Sequence, residues 1–177
     1  MGKVTYPFVP KSNRLLIPGQ FWGIQLSSGA FAAGRVILVN PEDRSTFLAG
    51  LMDWVGPHPP TSEDLTGRKT LTQGKASYLT IVDTGPAILG HRPLDADGLE
   101  PDHMLSQEGW PGAWVVKGYE WVRPATREEW ATLPVSSGWG RVVIKVAAER
   151  VFVEGKPLPY DRRIDLRAPL HAERESD

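Results

Sequence analysis

The sequence predicts an α+β fold: a mostly antiparallel, curved β-sheet with two or three short helices in a single domain. Three observations lead there. Residues 18–39 (PGQFWGIQLSSGAFAAGRVILV) hold two apolar runs around a short Ser27-Ser28-Gly29 connection, the pattern of a β-hairpin. Further short runs rich in strand formers recur downstream. Helix signals are brief and few. With 177 residues the chain is long enough for one domain with a real core.

Taken in order, residues 1–17 read as an irregular arm, broken by Pro7 and Pro10. In 20–26, Trp22, Ile24 and Leu26 alternate onto one face. In 31–39, Phe31, Ala33, Arg35, Ile37 and Val39 share one face and Ala32, Gly34, Val36 and Leu38 the other. Gly34 inside this run predicts a bulge or a close neighbour. Asp43 or Ser45 then caps a helix over 46–55, where Phe47, Leu48, Leu51, Met52 and Val55 recur at helical spacing. A helical turn begins at 61–64. Residues 77–83 (SYLTIVD) read as a third strand and 87–90 as a short fourth.

Residues 92–112 read as a long exposed loop, of the kind that often carries function. Residues 113–122 read as a strand that is apolar on both sides. Thr126 and Glu129 have the spacing of a capping box, which opens a short helix carrying Trp130 and stopped by Pro134. Residues 141–146 alternate, with Val142, Ile144 and Val146 inward, and 151–153 continue the sheet. The domain is expected to span 18–166, with 167–177 a polar, disordered tail.

Composition narrows the function. The net charge is −1, without the basic excess that neutralising phosphates requires, so no nucleic-acid partner is expected. No apolar run approaches the ~20 residues of a membrane span, and no signal-peptide core is visible, so a cytoplasmic location with no membrane partner is expected. The chain has no cysteine, hence no disulfide, no thiolate catalysis and no cysteine-ligated zinc. Gly74-Lys75 is followed by Ala76 rather than a hydroxyl residue, so it is no phosphate loop. His58, His91, His103 and His171 have no metal-ligand spacing. No catalytic residue, cofactor or metal is assigned.

Three features remain as binding candidates. Asp95, Asp97, Glu100 and Asp102 crowd the stretch DADGLEPD. They read as a solvated acidic loop, a partner contact or a calcium loop without full EF-hand spacing. Arg35 is a charge inside an apolar strand. It is either an outward-facing or salt-bridged group, or a planar fork reaching a carboxylate on this chain or on a partner. Among the seven tryptophans, most read as buried anchors, and Trp110, inside the expected loop, as a contact residue.

The opening PGQFWGIQLSSGAFAAGRVI resembles the immunity protein 26 family, through Gly19, Phe21 or Trp22, Ile24, Leu26, Gly29, Gly34, Arg35 and Val36. Residues 60–65 (PTSEDL) and 85–94 (GPAILGHRPL) resemble the family's following blocks, so the likeness covers about 17–102. Gln20 stands where the family has an acid, and Gln25 where it has proline. The resemblance implies an α+β bacterial immunity protein that binds and neutralises a cognate polymorphic toxin domain, without enzymatic activity. Asp95, Asp97, Glu100, Asp102, Trp110 and Arg35 are the contact candidates for such a partner. The alternative reading is a small-molecule or carbohydrate-binding module or enzyme with an aromatic-lined cleft.

Overall fold

The computed structural model describes residues 3–106 and 113–158. The fold is α+β, built from two antiparallel sheets and three α-helices among the described residues. In chain order the elements are β1 (Gln20–Gln25), β2 (Phe31–Val39), β3 (Phe47–Gly56), β4 (Thr70–Ala76), α1 (Tyr78–Thr84), β5 (Ile88–His91), β6 (His103–Ser106), β7 (Trp114–Lys117), β8 (Glu120–Pro124), α2 (Arg127–Thr132) and α3 (Val143–Phe152). Contacts divide them into two compact units. One comprises the chain up to Pro101 together with Gly138–Lys156; the other centres on Asp102–Ser137.

The first unit is a five-stranded sheet in the order β4-β3-β2-β1-β5, antiparallel throughout. The expected hairpin is its centre. Phe21 pairs with Arg35, Trp22 with Gly34 and Ile24 with Ala32, and the turn closes with Leu26 N–H donating to the Ala30 carbonyl. Gly34 has both predicted features. The β2–β3 register shifts beside it, and a Cβ there would lie 2.3 Å from the Trp22 ring. Trp22 is fully buried; its Nε1 donates to Thr84 Oγ1 on α1, and its ring meets Phe47 edge-on. Phe21, Ala33, Met52, Trp54 and Leu65 form a cluster completed by Phe31, Leu89 and Leu99. Helix α3 packs against β1, β2 and β3 through Ile144, Ala147 and Ala148. Its Glu149 carboxylate accepts from the Ser27 amide and hydroxyl at the hairpin turn.

Four expected segments change type. Residues 46–55 form strand β3, not a helix. Six of its first residues in a row are buried, and a strand buried on both sides has the same apolar content as a helix face. Residues 77–83 form helix α1, not a strand. Asn13 Oδ1 accepts from its Tyr78 amide, and Thr80, Ile81 and Thr84 are buried at helical spacing. Residues 141–146 and 151–153 belong to the α3 region rather than to strands. The short valine alternation yields to the Ile144, Ala147, Ala148 period of the longer segment.

The second unit is a three-stranded sheet in the order β6-β7-β8, followed by α2. The stretch 113–122, expected as one strand, turns at Gly118 (φ 63°) into the hairpin β7–β8. The capping box of α2 is present as predicted: Glu129 N–H donates to Thr126 Oγ1, and Thr126 N–H to Glu129 Oε2. Of the expected loop 92–112, residues 92–106 are described and are not simply a loop, and 107–112 lie outside the described residues. Residues 92–106 contain a 3₁₀ turn at Asp95–Asp97 and strand β6, whose Met104, Leu105 and Ser106 are buried. The expected tail 167–177 lies outside the described residues.

Candidate functional site

Strand β2 carries Arg35 into the interior of the first unit, where its side chain has no solvent exposure. Burying a guanidinium costs least when most of its donors are met. Nη1 donates to Asp97 Oδ2 at 2.9 Å, and Nη2 donates to the carbonyls of Arg92 (2.6 Å) and Pro93 (3.2 Å). Nε is buried and makes no hydrogen bond. Burial pulls the Arg35 pKa down and the Asp97 carboxylate opposes that pull; an arginine stays charged under either influence.

Asp97 is the hub. Arg92 grips it with both arms of its fork, Nε to Oδ2 at 2.8 Å and Nη2 to Oδ1 at 2.9 Å. The Gly67 amide donates to Oδ1 at 2.8 Å, and Lys69 Nζ donates to the Asp97 backbone carbonyl at 2.7 Å. The Arg92 hydrogen bonds, then the Gly67 amide and Arg35, hold this carboxyl well below the usual carboxylate range, against the opposing effect of burial. Four chain segments therefore meet on one side chain: β2, the loop before β4, the end of β5 and the 3₁₀ turn. Glycine makes the approach possible. Gly19 has φ 97°, and a Cβ there would lie 2.6 Å from the Arg92 carbonyl.

The structure sorts the predicted contact residues into separate environments. Arg35 and Asp97 face inward and are spent on each other and on Arg92. Asp95 and Glu100 are exposed on the loop that Asp97 anchors. Asp102 is exposed at the start of the second unit. Trp110 lies outside the described residues. Among the described residues, no group of three or more histidine, aspartate or glutamate side chains is placed to hold a metal ion. Both Asp97 oxygens are already engaged by cations and an amide, so the arrangement is an ion-pair clamp.

Arg92, Gly67 and Lys69 were not singled out from the sequence. Arg92 had one usable signal, since it stands five residues before Asp97 in GHRPLDAD and can fold back on it through a turn. Arg35 and Arg92 come from two of the blocks that carry the resemblance, and those blocks also pack together on β1. Gly85 lies against the Gly23 carbonyl and Trp22, and Gly90 against the Phe21 ring.

No family model, curated protein or solved structure matches the chain. No helix among the described residues is long and apolar enough to cross a membrane.

Proposed function

We propose that this protein is a binding protein that neutralises a bacterial toxin domain, as its resemblance to the immunity protein 26 family implies. The observation that carries this reading is the Asp97 clamp. It fixes a surface turn to the centre of the sheet, so that Asp95 and Glu100 are presented outward from a loop already ordered before any partner arrives. Preorganisation of this kind lowers the entropy lost on binding. Exposed acidic residues on an anchored turn suit a basic face on the partner, and speed encounter with it more than they tighten the complex.

The test is to identify the toxin domains encoded by neighbouring genes and to co-express this chain with each. The expected result is survival of the host and a complex that co-elutes on gel filtration. In the Asp95→Lys/Glu100→Lys double variant association slows by roughly tenfold or more at low salt. Absence of both protection and a complex would overturn the reading.

The second reading, a carbohydrate-binding module, has one observation in its favour. Trp121 is 48% exposed and packs edge-on against Trp114. A thermal shift with an oligosaccharide panel, abolished by Trp121→Ala, would favour it over toxin binding.

A further inference from the structure

The three-stranded sheet has an open edge. The outer side of β6 is covered: Leu105 N–H donates to the Pro134 carbonyl, and Ser136 N–H donates to the Leu105 carbonyl. On the outer side of β8 no strand pairs among the described residues, and all five of its residues are exposed. Trp121 pairs with Val116 and meets the Trp114 ring edge-on, so one face of this edge is apolar and aromatic. Glu120 and Arg123 add one charge of each sign along the same strand. Arg123 is paired with Glu129 yet keeps half of its side chain exposed. Such an edge offers a row of backbone donors and acceptors that another extended backbone can satisfy.

The chain itself supplies a candidate of matching pattern close by. It leaves the first unit after Lys156 and joins the second at Pro157. Leu158 is buried and is the last described residue, so residues 159–177 continue from this unit. Six extended residues reach about 20 Å, whereas a three-stranded sheet is only about 10 Å across. Residues 160–167 read YDRRIDLR. Laid out as an extended chain, Tyr160, Ile164 and Leu166 fall on one side with Arg162. Asp161, Arg163, Asp165 and Arg167 fall on the other and alternate in sign.

We propose that this C-terminal segment is the fourth strand of the sheet, laid along β8. Ile164 and Leu166 then lie on the Trp121 face, as aromatic and branched cross-strand partners do. The charges of the other side run along Glu120 and Arg123, and because they alternate, each of those two residues finds an opposite sign within reach. Pro169 has no N–H and stops the pairing just beyond this stretch. A segment tethered by so few residues competes at an effective concentration of the order of millimolar. The edge is thereby closed against the strands of other proteins.

Amide hydrogen exchange of the full chain, read residue by residue by NMR, tests this pairing. Along β8 the amides alternate between β7 and the outer side. In the wild type, those that point away from β7 are expected to exchange at least about tenfold more slowly than a solvent-exposed amide. Ile164→Asp/Leu166→Asp sets two charges on the apolar side of the segment. It is expected to return those outward amides to free exchange while the amides of β1–β5 keep their protection. A wild type whose outward β8 amides exchange freely would overturn the proposal, and that measurement needs no variant to fold. Protection that survives the double substitution would overturn it as well, and would assign the edge to a different strand.

Discussion

Asp97 links titration to folding in a direction that can be worked out. In the unfolded chain an aspartate titrates near about 3.9. In the native protein Arg92, the Gly67 amide and Arg35 hold the proton off to lower pH. The stabilisation from this depressed pKa is therefore fully present above the unfolded value and is lost as pH falls toward the native one. Urea unfolding of the wild type is expected to show stability declining below about pH 4, with Asp97 a main contributor.

Asp97→Asn is expected to cost about 3–5 kcal/mol at neutral pH, because it leaves Arg35 buried beside Arg92 without a counter-charge. It is also expected to flatten the acid limb of the stability curve. A loss below about 1 kcal/mol would mean that the carbonyls of Arg92 and Pro93 satisfy Arg35 unaided. Both members of the pair were legible as unusual residues: a charge inside an apolar strand, and an acid in a dense acidic run. Their pairing was not, since it joins positions 62 apart, and only the packed sheet brings them together.

Elements were read well where the signal was local. The β1–β2 hairpin, the α2 capping box and the short strand β5 each depend on neighbours within a few residues. They were misread where burial overrode local pattern. β3 lies between β2 and β4 and is covered on both faces, so it lost the alternation that identifies a strand. α1 is rich in strand formers yet helical, because Asn13 accepts from its first amide and Thr80, Ile81 and Thr84 are buried along one helical face. Gly34 shows how narrow the tolerance is inside this sheet. Gly34→Ala would drive a methyl into the Trp22 ring, which is fully buried and held by Thr84 and Phe47. The expected loss is about 1–3 kcal/mol in chemical denaturation, with a changed Trp22 fluorescence signal. Unchanged stability would show that the indole can rotate away at no cost.

Across the whole molecule, the first unit is discontinuous in sequence, and this sets how the chain can be cut. Its sheet is complete by His91, yet it recruits Gly138–Lys156 after the second unit has intervened. That returning segment does three things. Trp139 lies against Gly74, where a Cβ would come within 2.0 Å of the indole, and its amide donates to the Lys75 carbonyl on the edge strand β4. Ile144, Ala147 and Ala148 cover the strands beneath α3. Glu149 fastens the hairpin turn at Ser27. A chain ending at residue 137 keeps every strand of the five-stranded sheet but uncovers apolar side chains and leaves β4 open along one edge. Such a fragment is expected to lose cooperative unfolding and to aggregate, because exposed core and a bare edge strand favour association over folding. Adding a peptide of residues 138–158 in trans is expected to restore a cooperative transition. A fragment that unfolds cooperatively with wild-type stability would show instead that the sheet and the Asp97 clamp suffice alone, and that α3 is an accessory to a fold already complete.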